Sequence, residues 1–204
     1  MTRSLPKLHA VTNNSILELP DYLDRASALA LGRYVALHIR CGGCTGKRLT
    51  ELVEQTTTAC AATDATILVN DRADVARLTG AAGVHLPAAG LPVAAARALL
   101  GSDALIGRST HSAAEAQSAA AEGADYVLLG PIWHTRSHPE REPIGLDPIS
   151  AVEGIPVFAI GGVTPERVPL ALEAGAHGVA AISSLWSTAD PRAAAESMLL
   201  SFDI

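Results

Sequence analysis

The sequence has few aromatic residues, which make up 3% of its 204 positions, so a large core must be built from aliphatic side chains. It has three cysteines, an odd number that does not form a disulfide framework, and we expect free thiols in a cytoplasmic protein. It has no excess of basic residues, and its net charge of −6 argues against a nucleic-acid partner. No apolar run reaches the length of a membrane span, and the N-terminal stretch MTRSLPKLHAVT does not resemble a signal peptide, so we expect neither membrane association nor export.

Aliphatic residues instead form short runs that recur along the whole chain. Most are continuous apolar stretches, which is typical of strands buried on both faces of a parallel sheet. The runs lie at 8–12, 34–40, 65–70, 83–87, 105–110, 126–130, 156–162 and 178–185. Helix-like segments separate them, and GAAGV (80–84), GADYV (123–127) and GAHGV (175–179) each end a helix at Gly and lead into a strand. Eight such units of roughly 25 residues predict a single (β/α)8 barrel domain over residues 1–204, with a doubly wound open sheet as the alternative.

Polar residues gather where the predicted strands end, which is where such a barrel places its ligand site. The candidate substrate contacts among them are His38, Arg40, Asn70 and Ser109. After the seventh and eighth strands come two glycines and two serines, and these two loops commonly bind phosphate in this fold. The sequence therefore predicts a phosphate site at Gly161, Gly162, Ser183 and Ser184.

The segment GPIWHTRSHPEREPIG (130–145) is unusually polar and has no clear period. We interpret it as a lid over the site, with Thr135 and Ser137 as further substrate contacts. Because histidine titrates near neutral pH, His134 and His138 are the candidate acid/base residues. For each of them a solvated loop residue is the alternative. His85 and His111 at strand ends are either further base candidates or structural histidines.

Eight motifs, in order along the chain, resemble the thiamine phosphate synthase/TenI family: LHAVTNNS, HIR, LVNDR, GVHLP, GRSTHS, GADYVLLGPIWHT, PVFAIGGVTPERV and GAHGVAAISSLW. The resemblance implies a (β/α)8 barrel enzyme of thiamine biosynthesis. One branch of the family, the synthase, joins a pyrimidine diphosphate to a thiazole phosphate using Mg²⁺. The TenI branch includes a thiazole tautomerase, which shifts a proton to make the thiazole phosphate aromatic.

Three departures from the synthase pattern favour the TenI branch. After the second strand the synthase resembles Gln-x-Arg-x-Lys, whereas this chain reads HIRCG at 38–42 and lacks the Lys. After the fourth strand the synthase resembles Gly-Gln-Glu-Asp, whereas this chain reads PAAG at 87–90, so only Asp71 of the two Mg²⁺ carboxylates remains. In the loop after the sixth strand, Ser137-His138 stands in place of a Thr-Lys pair that helps to hold the phosphates.

Losing one Asp and two lysines argues against ionisation of a diphosphate, which requires its developing charge to be neutralised. We therefore expect a thiazole tautomerase, an isomerase that needs no metal or other cofactor, with a homodimer as the base-rate expectation. A TenI-type tautomerase has its catalytic His directly after the Gly that ends the sixth strand, where this chain has Pro131, so the base is assigned to His134 or His138. The alternatives are an Mg²⁺-dependent synthase with Asp71 on the metal, and a non-catalytic barrel that binds a thiazole or thiamine phosphate.

Overall fold

A computed structural model describes residues 5–135 and 140–203 and shows a closed parallel barrel. Its strands are β1 (Leu8–Val11), β2 (Val35–Ile39), β3 (Thr66–Asn70), β4 (Gly83–Leu86), β5 (Leu105–Thr110), β6 (Tyr126–Leu129), β7 (Val157–Ile160) and β8 (Gly178–Ala181). Each strand pairs in parallel with its neighbour, and β1 also pairs with β8, with Leu8 opposite Val179. The predicted (β/α)8 barrel is therefore confirmed, and the open sheet is excluded because the sheet closes on itself.

Helices cover the outside of the barrel. They are α1 (Asn14–Leu17), α2 (Tyr22–Leu29), α3 (Gly46–Ala59), α4 (Ala73–Thr79), α5 (Val93–Leu100), α6 (Ala113–Ala121), α7 (Asp147–Ser150), α8 (Val168–Glu173), α9 (Ser183–Trp186) and α10 (Pro191–Leu199), with short 3₁₀ turns at Gly32–Tyr34 and Pro165–Arg167. Within the described ranges, none of them combines the length and apolar character that crossing a bilayer requires. The N-terminus of α6 is capped by the Ser112 side chain, which accepts a hydrogen bond from the Glu115 N–H.

The barrel has two cores because alternate residues of each strand point inwards and outwards. The outer core packs the strands against the helices. The inner core holds Val11, Leu68, Leu105, Tyr126, Leu128 and Phe158. Tyr126 fits there because Gly107 faces it: a Cβ at Gly107 would overlap the Tyr126 ring. Two of the few aromatic residues thus fill the centre of the barrel.

The loop after β2 corrects the expectation of free thiols. Cys41 and Cys44 form a disulfide, and their Cα atoms lie 5.6 Å apart. The intervening Gly43 adopts a positive φ of 73°, which lets the chain turn tightly enough to bring the two sulfurs together. Cys60 is a free, buried thiol, as expected.

Candidate active site

A cavity of about 730 Å³ opens at the carboxyl ends of the strands. This is the size of pocket that encloses small molecules, and it lies at the end of the barrel where this fold carries its ligand sites. Most of the predicted site residues line it. They are Arg40, Asn70, Ser109, His134, Thr135, Gly161, Gly162, Ser183 and Ser184. Ser137 and His138 lie outside the described residues.

The loops after β7 and β8 form one corner of this cavity. Gly161 and Gly162 adopt positive φ values of 94° and 69°, a conformation that glycine reaches without strain. Close packing also requires glycine here, because a Cβ at Gly162 would lie 2.5 Å from the His134 carbonyl oxygen. The Ser184 hydroxyl donates to the Val163 carbonyl oxygen at 2.7 Å and holds the two loops together. Gly161, Gly162, Ser183 and Ser184 thus all lie at this corner of the cavity lining.

Arg167 adds a positive charge to this corner. Its Nη1 donates to the Gly162 carbonyl oxygen at 2.6 Å, and its guanidinium lies 5.2 Å from the centre of the Trp133 ring, a cation–π contact. Arg167 was not among the site residues predicted from the sequence. The available signal was a basic residue one turn beyond the glycine pair.

The end of β2 supplies Arg40 to the cavity lining. Its backbone N–H donates to Thr12 Oγ1 at 2.8 Å, and the same hydroxyl donates to the Arg40 carbonyl oxygen at 3.2 Å. These bonds fix the strand end from which the guanidinium reaches the cavity. Arg108, by contrast, does not line the cavity: it donates to the carbonyl oxygens of Leu91 and Ala88, and so fastens the loop after β4.

The loop after β6 brings in a residue that the sequence did not single out, Arg141. Its Nη1 donates to His111 Nε2 at 2.8 Å, while His111 Nδ1 donates to the Gly130 carbonyl oxygen at 2.6 Å. Both Arg141 and His111 line the cavity. His111 therefore holds Arg141 in place at the cavity. No local sequence pattern indicated this contact, because Arg141 lies in an aperiodic loop.

The lining of the cavity is strongly one-sided in charge. Among the described lining residues are three arginines, and none is an Asp or Glu. None of the ion pairs formed within residues 5–135 and 140–203 involves Arg40, Arg141 or Arg167. In a chain of net charge −6, this concentration of unpaired arginines gives the cavity a positive charge, which favours anionic ligands over cationic ones.

Three buried histidines, His9, His38 and His85, contact one another at and below the floor of the cavity, and we call them the histidine column. His85 Nε2 lies 2.8 Å from Ser109 Oγ, and His85 Nδ1 lies 3.2 Å from the Tyr126 hydroxyl. Burial, with smaller contributions from His38 and Arg108, lowers the pKa of His85 well below its ordinary value. A neutral His85 thus fixes the hydroxyl of Ser109, which lines the cavity.

The structure does not bring His38 to the cavity. Its side chain is 0% exposed, and its Nε2 lies 2.8 Å from His9 Nδ1 in the layer below. Burial lowers the pKa of His38 to about 3, so the imidazole is neutral at physiological pH. His9 Nε2 and His38 Nδ1 have no hydrogen-bond partner within the described part of the chain.

The predicted metal ligand, Asp71, also lies outside the cavity lining. It is exposed and adopts a positive φ of 68°, and its N–H donates to the His85 carbonyl oxygen at 2.9 Å. Mg²⁺ is usually held through one or two carboxylates and substrate phosphates. Around Asp71 the loop after β4 offers Pro87, Ala88 and Ala89 instead of a carboxylate, and the described residues contain no group of three possible metal-binding side chains. Asp71 alone therefore does not form a Mg²⁺ site, and an ion held there would depend on further ligands such as substrate phosphates.

Fold and site together define an α/β barrel with a positively charged cavity at the carboxyl ends of its strands. A model of the thiamine monophosphate synthase family matches residues 8–185, and the chain belongs to that family. It is 38% identical to a thiamine-phosphate synthase from Salinispora tropica over 96% of this chain and 97% of that one. It is 43% identical to one from Synechococcus over 85% of this chain. A solved thiamine phosphate pyrophosphorylase from Pyrococcus furiosus matches with a TM-score of 0.80 and 29% identity, over 96% of this chain and 94% of that one.

Coverage differs among the relatives. The chain spans only 50% of the length of the Synechococcus protein and 58% of a relative from Mycolicibacterium gilvum. It spans 84% of a thiamine-phosphate synthase from Streptomyces avermitilis, to which it is 40% identical.

These likenesses correct the expected activity. The prediction of a thiazole tautomerase, and hence of an isomerase, is wrong, because relatives that match most of the chain are named thiamine-phosphate synthase, a transferase. The mistaken step was to count the lost Lys and Asp positions alone. The cavity carries Arg141 and Arg167, so positive charge that is missing at the synthase Lys positions is present at other positions of the lining.

Proposed function

We propose that this protein is a thiamine-phosphate synthase, a transferase that joins a pyrimidine diphosphate to a thiazole phosphate and releases pyrophosphate. The observation that carries the proposal is the cavity lining, which has three arginines and no carboxylate among its described residues. Both substrates of this reaction are anions, and the cavity of about 730 Å³ accommodates two small molecules side by side. The relatives named for this activity support the same conclusion.

The two ends of the cavity suit different substrates. The corner formed by Gly161, Gly162, Ser183 and Ser184 takes the single phosphate of the thiazole, with Arg167 adding positive charge. The part of the lining that carries Arg40, Asn70 and Ser109 takes the pyrimidine diphosphate. This arrangement holds the two reacting carbon and nitrogen atoms together, so that a reaction between two molecules proceeds within one complex.

The chemistry requires charge stabilisation more than proton transfer. The bond between the pyrimidine methylene carbon and the diphosphate oxygen breaks, and both electrons leave with the diphosphate. The lone pair of the thiazole nitrogen then forms the new carbon–nitrogen bond. The arginines that line the cavity stabilise the leaving diphosphate through charge-assisted hydrogen bonds. The neutral His85 keeps the Ser109 hydroxyl oriented towards the substrate.

Steady-state release of pyrophosphate from the authentic pair of substrates tests this proposal. The Arg40→Gln variant removes a cavity cation, and Arg33→Gln removes the same charge from an exposed residue before β2, at the opposite end of the barrel. We expect kcat/KM to fall by about ten- to hundredfold in Arg40→Gln, the range for loss of a charge-assisted hydrogen bond, and to stay unchanged in Arg33→Gln. Equal kinetics in both variants would contradict the assignment of the cavity.

A further inference from the structure

Arg141 is a cation of the cavity that the family resemblance does not account for. We propose that Arg141 binds the diphosphate group of the pyrimidine substrate and stabilises its charge as the carbon–oxygen bond breaks, and that His111 is the residue that positions Arg141. This inference rests on the proposed function, which supplies the diphosphate.

The hydrogen-bond partners of His111 determine which of its ring nitrogens donates and which accepts. A carbonyl oxygen can only accept, so His111 Nδ1 must donate to the Gly130 oxygen, 2.6 Å away. An arginine can only donate, so His111 Nε2 must carry the lone pair that accepts from Arg141 Nη1 at 2.8 Å. In this pair of contacts Nδ1 donates and Nε2 accepts, and His111 orients Arg141 without carrying a negative charge that would neutralise it.

The rest of the Arg141 guanidinium is available to a ligand. The contact with His111 uses one of its nitrogens, Nη1, and no carboxylate pairs with it among the ion pairs of the described residues. A guanidinium presents a fork of donors that matches phosphate oxygens, and it binds them with two parallel hydrogen bonds. Because Arg141 lines the cavity, those donors face a ligand as well as solvent.

The position of Arg141 favours the diphosphate over the single phosphate. Arg167 already serves the corner after β7 and β8, where it is bonded to Gly162. Arg141 is fixed at the end of β5 through His111, on the part of the rim that also carries Ser109. The leaving diphosphate must be met by positive charge, and for Mg²⁺ the strand ends at β3 and β4 offer the single carboxylate of Asp71. The sequence PAAG after β4 has no carboxylate to hold such an ion, whereas Arg141 brings a positive charge to the cavity from the loop after β6.

Calorimetric titration with inorganic pyrophosphate, in metal-free buffer and again with Mg²⁺, tests the inference. We expect pyrophosphate to bind the wild type and to bind Arg141→Gln about ten- to hundredfold more weakly, with Arg33→Gln as the matched control that binds like the wild type. Equal affinity in wild type and Arg141→Gln would overturn the proposal. So would full recovery of the Arg141→Gln affinity on adding Mg²⁺, since the metal would then provide the same charge.

A double-mutant cycle tests the positioning role of His111. His111→Leu should weaken pyrophosphate binding through Arg141, so the double variant should bind no more weakly than Arg141→Gln alone. Additive losses in the double variant would show that His111 does not act through Arg141. Circular dichroism of each variant confirms that the fold is kept.

Kinetics separate failure of this inference from failure of the proposed function. If the wild type makes thiamine phosphate and Arg141→Gln has the same kcat/KM, the role of Arg141 is refuted while the synthase activity stands. If the wild type makes no product, the proposed function fails, and a tenfold or greater difference in pyrophosphate affinity still supports an anion site at Arg141.

Discussion

Lowering the pH should reduce the free energy of unfolding, because the buried histidines of the column stay neutral only in the folded protein. His38 gives the clearest measure of this effect. The folded protein keeps His38 neutral, with a pKa of about 3, whereas an exposed histidine has a pKa near 6.5. The stabilisation from neutral His38 is therefore fully present above pH 6.5. It is lost progressively as the pH falls from 6.5 towards 3, because only the unfolded chain binds the proton.

The magnitude follows from the width of that window. Between pH 6.5 and 5.0 the His38 contribution amounts to about 2 kcal/mol, taking about 1.4 kcal/mol for each pH unit. His9 and His85 are buried beside it, and burial lowers the pKa of each in the same direction. The total loss in the wild type should therefore exceed that figure.

Urea denaturation at pH 7.5 and pH 5.0 measures this loss. In His38→Gln, the decrease in the free energy of unfolding between the two pH values should be about 2 kcal/mol smaller than in the wild type. His134→Gln, which changes an exposed histidine, should show the wild-type decrease. The same decrease in wild type and His38→Gln, or an NMR titration of His38 with a midpoint near 6.5, would refute the reasoning.

Three further changes should follow the contacts seen in the structure. Gly162→Ala should lower the free energy of unfolding in urea by about 1–3 kcal/mol and weaken binding of the thiazole phosphate, because the positive φ and the close packing of Gly162 both oppose a Cβ. Gly145→Ala is the control: Gly145 also has a positive φ but has open space around it, so this change should lower the free energy of unfolding by less. Tyr22→Phe removes a buried 2.7 Å hydrogen bond to Thr56 and should cost about 1 kcal/mol in the same assay. Arg108→Gln releases the loop after β4 and should speed amide hydrogen exchange there; unchanged exchange would show that the arginine does not fasten this loop.

The sequence predicted the barrel because each unit carries its own local signals. Gly80 ends a helix in the left-handed conformation, with φ of 66°, directly before a strand, as the repeated GAAGV-type turns indicated. Strand positions were right to within a few residues. The largest error is at the last strand, predicted over 178–185, which ends at Ala181 because Ser183 already begins α9. A continuous run of small and apolar residues does not mark where a strand gives way to a helix.

The depth of a side chain inside the barrel could not be predicted in the same way. His38 and Arg40 both lie at the end of the second predicted strand, so both were predicted to contact a substrate. The structure places Arg40 in the cavity lining and His38 one layer deeper, bonded to His9. Which layer a residue occupies depends on the stagger of all eight strands, and no local pattern contains that information.

The contact between Arg141 and His111 shows a second limit. The residues lie 30 positions apart, one in an aperiodic loop and the other at a strand end. The loss of lysines from the expected positions was visible in the sequence, but the arginine that brings charge to the cavity from another position became visible only with the fold.

The measurement that tests the central claim most directly is detection of thiamine phosphate by mass spectrometry after incubating purified wild-type protein with the pyrimidine diphosphate and the thiazole phosphate. A synthase should form thiamine phosphate and pyrophosphate in equal amounts, at a rate proportional to the protein concentration. No product above the protein-free control, although both substrates bind, would contradict the assignment and leave a phosphate-binding barrel that does not carry out this transfer.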